Sequence, residues 1–380
     1  MRNGIHSIVL LTTVLLAFSC VEPYAPPEVK NDQNLLVVDA LLNGGDGTCT
    51  VKLSRTVPLT ESNLTRPELQ ATVSIVTESG TTYTLKDNTN SGNYSTSGIS
   101  ILSNDTYILN IKTINGKQYS SEKVALKVSP QIDSITWKTV EDGIELYVDT
   151  HDNDNNTRYY RWEFDETWAY NSAYQSLYEF SGEKVVERSD NIYNCYQNFS
   201  SSNILIKSTS RFTEDAVRNF QFNSIPKGSQ RLFIRYSILV KQYALTLDAF
   251  NFWELLKKNT ESLGGLFDPL PSQLRGNIQN NNNEGEVVLG YFSASKTVEK
   301  RIFISLQDLP DGYKFTDLYP LCVRDTAFFD EFGHLPAVNK AADLLISGYY
   351  NPFLVGYFYS LNDCVDCRLQ SGTNQKPSFW

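Results

Sequence analysis

Between residues 34 and 128, apolar positions recur at every second residue. Asn34–Leu42 is a rich apolar run, closed by Asn43-Gly44-Gly45-Asp46-Gly47. In Thr48–Ser54, Cys49, Val51 and Leu53 alternate with Thr50 and Lys52. That is the period of a half-buried strand, whose successive side chains point to opposite faces. Ala71, Val73 and Ile75 repeat the pattern, Ser79-Gly80 turns the chain toward Tyr83 and Leu85, and Tyr107, Leu109 and Ile111 form another run. Asn115-Gly116 predicts a type I′ hairpin into Gln118–Val128, because both residue types accept a positive φ. About six short strands in this stretch predict an immunoglobulin-like β-sandwich over 34–128.

Pro130 opens a second region, 130–380, whose pattern predicts a β-rich, sandwich-like domain with helical insertions. Ile135–Trp137 and Ile144–Val148 read as strands. In Arg158–Trp168, Tyr160, Trp162 and Phe164 share one face, while Arg161, Glu163 and Asp165 share the other. Residues 231–247 predict a long central strand, with Leu232, Ile234, Tyr236 and Ile238 in alternation. The period then changes. Ala249, Phe252, Trp253, Leu256 and Thr260 fall on one side of a helix near 247–263. Thr246 or Asp248 caps its start, Lys257 and Lys258 suit its last turns, and Gly264-Gly265 stops it. The aromatic stripe predicts core packing, with a ligand groove as the competing reading. Glu286–Phe292 and Arg301–Leu306 predict a strand pair, and Leu335–Ser347 a short helix with Pro336 near its start.

The first residues follow neither period. Arg2 precedes an apolar run from Ile8 to Phe18, followed by Ser19-Cys20, the layout of an export signal with a small residue before the cut. The run is shorter than the roughly 20 residues needed to cross a bilayer. Residues 1–19 are therefore expected to be a lipoprotein signal peptide and Cys20 the lipidation site, although Ala17 and Phe18 stand where Leu and a small residue are commoner. Acyl chains contribute about 0.8 kcal/mol per buried CH2, so several hold a protein on a membrane. Residues 20–33, with Pro23, Pro26 and Pro27 and little apolar content, predict a flexible tether.

Composition then narrows the chemistry. The net charge of −10, with no basic stripe, excludes a nucleic-acid partner. Beyond the leader only His151 and His334 remain, too few for a His-rich metal centre. A Ser-His-Asp or Cys-His device would have to use one of them, yet both sit in turn-like sequence and read as loop residues. Asp149, Asp152, Asp154 and Asn156 are a weak calcium candidate, lacking the central Gly and terminal Glu of a calcium loop. Such clusters are also ordinary hairpin chemistry. Glu163, Asp165 and Glu166 are candidates for a carboxylate-dependent hydrolase, but Arg161 beside them makes a surface charge pattern the simpler reading. No cofactor is read from the sequence, and an enzyme is not the expected class.

Apart from Cys20 there are five cysteines. Cys49 points inward by alternation and reads as a small buried hydrophobe. Cys195, Cys322, Cys364 and Cys367 can form two bridges in three ways. The first choice is one bridge within Cys364-Val365-Asp366-Cys367 and one joining Cys195 to Cys322. A redox site wants its C-x-x-C at a helix N-terminus beside a βαβ unit, and a four-Cys zinc site wants a second C-x-x-C, so both are lesser readings.

Several stretches belong together: RYYRWEFDETW at 158–168, RYSILVKQYALTLDAFNFWELLKKN at 235–259, LFDPLPSQLRGNI at 266–278, VVLGYFSAS at 287–295, KRIFI at 300–304 and CVDCRLQSGTNQKPSFW at 364–380. Together they resemble the Bacteroidota outer-membrane lipoproteins grouped as domain of unknown function 4249, over nearly the whole chain beyond the leader. The resemblance implies an outer-membrane lipoprotein, commonly encoded beside a TonB-dependent receptor. With the lipid anchor, the tether and the sandwich, the expectation is an accessory or solute-binding partner of such a receptor in uptake. The resemblance brings no catalytic residues. A structural or adhesive protein of the cell surface is the alternative. Glu22 and Glu28 form only a weak acidic signature near the anchor, which leaves the membrane face open.

Overall fold

The computed structural model describes residues 34–57, 66–102, 105–261, 274–313 and 319–380. The leader, Cys20, the tether and Gly264-Gly265 lie outside the described residues.

The alternating runs form the strands they predict. β1 (Leu36–Asn43) and β2 (Thr48–Arg55) pair antiparallel with Leu42 opposite Cys49, Ala40 opposite Val51 and Val38 opposite Leu53. All six side chains are buried, so one face of this pair is wholly core. β3 (Thr72–Thr77), β4 (Thr82–Leu85), β5 (Asn93–Thr96), β6 (Thr106–Lys112) and β7 (Gln118–Ser121) complete two sheets. Their orders are β1–β2–β5 and β4–β3–β6–β7, an immunoglobulin-like sandwich. The Asn115-Gly116 hairpin forms with a different turn from the type I′ expected. Gly116 alone takes a positive φ, 86°, and Thr113 and Lys117 close a three-residue loop by a 3.0 Å bond. This is the type I turn plus left-handed glycine that follows two-residue turns in frequency.

A second sandwich follows, from β8 (Ile132–Val140), β9 (Gly143–His151), β10 (Tyr159–Asn171), the small hairpin β11 (Tyr178–Ser181) and β12 (Lys184–Glu187), β13 (Asn194–Ser200), β14 (Leu205–Ser208), β15 (Ala216–Pro226) and β16 (Arg235–Ala244). One sheet is β8–β9–β15. In the other, β10 pairs with β13 and β14 along one edge and with β16 along the other. Tyr160, Trp162, Tyr170 and Tyr236 are fully buried between them. The Trp162 indole N–H donates to Gln242 at 2.8 Å, and the Gln242 amide donates onward to the Pro130 carbonyl, so this buried indole is satisfied.

The chain then leaves the second sandwich and returns to the first. After helix α1 (Leu247–Glu261), β17 (Ile278–Asn280) adds to the edge strand β7, and β18 (Leu289–Lys296) pairs parallel with β1. Only then does β19 (Val298–Ser305) pair with β16 and complete the second sandwich. The expected strand pair 286–292 with 301–306 is therefore corrected: the two strands join different sheets. Alternation reports which face of a strand is buried but not which free edge it will occupy. Asn277 bridges β17 and β18, donating its side-chain amide to the Phe292 carbonyl and accepting the Phe292 N–H, both at 2.9 Å. At the junction, Leu41 and Tyr291 of the first sandwich pack with Tyr243, Leu245 and Ala249.

A third, smaller unit consists of β20 (Asp325–Phe328), β21 (Asp343–Tyr350) and β22 (Leu354–Leu361), which pack Ala327, Leu345 and Tyr357 against Tyr178, Phe180 and Val185 of the β11–β12 hairpin. The expected helix within Leu335–Ser347 does not form. Turns at Val338 and Ala342 lead straight into β21, where pairing with β22 outweighs the weak proline start signal. A single helical turn, α2 (Asn362–Val365), follows β22.

Candidate binding surface

β10 puts the three candidate carboxylates on opposite sides of its sheet. Asp165 faces outward, accepts from the Ser200 hydroxyl at 2.6 Å and pairs with Lys241 at 2.8 Å. Burial pushes its carboxyl up, but the bonds from Lys241 and Ser200 outweigh this and hold it below the usual carboxylate range. Glu163, also outward, accepts from the Tyr243 hydroxyl at 2.8 Å and pairs with Arg161. The Arg161 guanidinium lies 3.8 Å over the Trp253 ring of α1. Glu166 instead faces the core, with 0% of its side chain exposed. It accepts from Tyr236 at 2.5 Å and Asn223 at 2.9 Å and lies 3.0 Å from Arg231. Burial, then the Glu166 carboxylate, pushes the Tyr236 phenol well above its ordinary value. Each carboxylate thus has its own cation, and the structure does not gather the three around one space.

The Asp/Asn loop serves its own backbone. Asp152 accepts from the N–H groups of Asp154, Asn156 and Thr157 and from the Thr157 hydroxyl, at 2.9–3.0 Å. Asp149 accepts from Ser134 at 2.7 Å and from the Asn219 N–H at 2.6 Å. Asp215, 2% exposed, receives Tyr160 and the Arg158 N–H, both at 2.9 Å. Among the described residues no group of three or more His, Cys, Asp or Glu is placed to hold a metal ion. Of the calcium candidate Asp149, Asp152, Asp154 and Asn156, the carboxylates of Asp149 and Asp152 are thus occupied by neighbouring N–H and hydroxyl groups. His151 ends β9 rather than lying in a loop, 2.8 Å from Asp133, and His334 lies 3.3 Å from Asp330.

The disulfides are Cys195–Cys367 and Cys322–Cys364. The expected bridges, Cys364–Cys367 and Cys195–Cys322, are thereby corrected. Cys195 and Cys367 belong to the core of the second sandwich, while Cys322 and Cys364 belong to a separate cluster with Ile192, Ile346 and Val365. Tertiary placement separates two cysteines that are sequence neighbours. Cys49 is free and buried, and burial pushes its thiol up to about 12, so it is unreactive. Downstream of Cys367, Trp380 lies across the outer face of β19, 5.9 Å from Phe303, with Arg235 over both rings.

The helix stripe is core, as predicted, at Ala249 and Phe252, which are buried. The opposite flank of α1 lines an open groove of about 720 Å³ against residues 206–212. Tyr159 and Phe250 pack their rings 5.2 Å apart in its lining, and Phe212 is 57% exposed at its rim. Lys207 and Arg211 come from the strand side, Lys257 and Lys258 from the helix. Lys257 donates to the Ile204 carbonyl at 2.8 Å, which fixes the helix wall. Helical periodicity alone did not indicate this site, because half of it comes from a polar run that carries no periodic signal.

These features define a disulfide-braced protein of tandem immunoglobulin-like sandwiches with a cation-lined surface groove. The chain belongs to the family described as domain of unknown function (DUF4249), whose profile matches residues 21–301. No curated protein matches it. A two fibronectin type-III domain segment from chicken tenascin is 10% identical, with 54% of this chain and 88% of that chain covered and a TM-score of 0.17. A structure of manganese lipoxygenase of Gaeumannomyces graminis with partial zonadhesin of Komagataella pastoris is 9% identical, covering 57% and 91%, with a TM-score of 0.18. A cycloalternan-degrading enzyme from Trueperella pyogenes is 10% identical, covering 70% and 32%, with a TM-score of 0.15. Likenesses this low carry no argument about activity. Among the described residues no helix is long and apolar enough to cross a membrane.

Proposed function

We propose that this protein is a Bacteroidota outer-membrane lipoprotein, anchored through Cys20, that assists a TonB-dependent receptor as an accessory or solute-binding partner. The observation that supports it best is the pair of long-range disulfides, Cys195–Cys367 and Cys322–Cys364. Structural disulfides belong to oxidising compartments outside the cytosol, in keeping with the export signal that precedes Cys20. The anchor, the tether and the family resemblance supply the membrane and the receptor. The groove beside α1 supplies a place for a ligand. Affinity isolation of the full-length protein from native membranes in mild detergent tests the reading. A TonB-dependent receptor should co-purify in comparable amount; a lipoprotein recovered alone overturns the partnership. Cys20→Ala should release the protein from the membrane fraction, and a Cys20→Ala protein that stays membrane-bound overturns the anchor.

A second reading, an adhesive surface protein, is favoured by the aromatic tip of the third unit, where Phe332 and Phe353 are 75% and 79% exposed. Protease shaving of intact cells tests whether that tip faces outward. An outward-facing tip is cleaved; full protection removes the adhesive reading.

A further inference from the structure

We infer that the groove between α1 and residues 206–212 binds an acidic oligosaccharide. This deepens the binding-protein reading by naming a ligand class. In a chain with a net charge of −10, the groove brings four cations together against one carboxylate, Glu254. Lys207 and Arg211 have no ion pair among the described residues, whereas Lys258 is neutralised by Glu254 at 3.1 Å. Unpaired cations on one wall of an open trough suit charge spread along an extended chain. A single small anion would call for converging donors in a closed pocket.

The rest of the lining narrows the class. Tyr159, Phe250 and Phe212 line the groove and give it aromatic, apolar surface for sugar rings. Ser208, Ser210 and Asn251 line the same groove and supply hydroxyl and amide partners for sugar hydroxyls. Glu254 is already paired with Lys258, so charge density decides between ligand classes: the net charge of −10 opposes a densely charged phosphate backbone more than a sparsely charged sugar. That contrast favours a sparsely charged sugar over a single-stranded nucleic acid, which also pairs cations with stacked rings.

Isothermal titration of the full-length protein in detergent tests the inference with four probes: a galacturonic acid hexamer, a hyaluronan hexasaccharide, neutral maltohexaose and an oligothymidylate. At least one acidic hexasaccharide should bind, and more weakly as salt rises. Binding should fall at least about ten-fold in Lys207→Gln/Arg211→Gln and in Phe212→Ala, an expectation consistent with loss of charge-assisted bonds and ring contact. All three positions are exposed, so the variants should retain the wild-type circular dichroism. No binding of either acidic sugar, equal binding of maltohexaose, tighter binding of oligothymidylate, or undiminished binding in the double variant each overturns the inference. The receptor co-purification is read on a different partner, so either result can fail alone.

Discussion

Glu166 shows how a single residue was legible in phase but not in role. The alternation that sends Trp162 and Phe164 inward also sends Glu166 inward, two residues on. Its partners Asn223, Arg231 and Tyr236 come from β15, the turn before β16, and β16 itself, so nothing local to Glu166 announces them. A buried carboxylate with these partners is structural. Removing it leaves Arg231 and Tyr236 with unmet polar groups, so Glu166→Ala should cost about 3 kcal/mol in denaturant unfolding. Glu166→Gln, which keeps an acceptor for Tyr236, should cost visibly less. Equal losses would mean that packing, rather than the polar network, holds this site.

At the scale of elements, the return passage through β17 and β18 is the feature with the largest consequence. Gly290 sits at a φ of 123°, and a Cβ there would fall on the Val38 carbonyl oxygen, which itself belongs to β1. Gly290→Ala should therefore destabilise the protein by at least about 2 kcal/mol. Hydrogen exchange should show the loss at β1 and β18 amides, and unchanged protection there would contradict the close approach. Glu286, just before β18, accepts from Lys117 and Tyr119 of the β6–β7 hairpin, both at 2.7 Å. Burial raises its carboxyl, but these donors and Asn280 outweigh that and lower it. A carboxyl lowered by folding stabilises above its unfolded value, about 4.3, and that contribution disappears as pH falls through the lower folded value. Glu286→Gln should therefore melt below the wild type at pH 7 and converge with it in acid. A constant gap across that range would show that the charge is not what fastens the passage.

For the whole molecule, the units are interdependent. The first sandwich borrows β17 and β18 from the second half of the chain, so a fragment of residues 34–129 should lack the protected β1 and β7 edges and fail to give a cooperative melt. A fragment that melts cooperatively would show that the borrowed strands are dispensable. Non-reducing peptide mapping should recover Cys195–Cys367 and Cys322–Cys364. A Cys364–Cys367 peptide would overturn the placement of the tail. The two bridges close chain segments of 172 and 42 residues, so Cys195→Ser and Cys322→Ser should cost about 5 and about 4 kcal/mol by loop entropy.

The fold class of this protein was written in its sequence. Alternation at Cys49, Val51 and Leu53, and at Tyr160, Trp162 and Phe164, names strands and their buried faces, because burial depends on the residue and its period. The helix from Leu247 was legible for the same reason. Edges, partners and loop destinations were not, because they depend on which surfaces are left open once the other strands have paired. Only the tertiary structure sent β18 to β1 instead of β19, parted Cys364 from Cys367, and set Lys207 and Arg211 across a groove from Lys257. Local pattern decides what a segment becomes; competition for free edges and free volume decides where it goes.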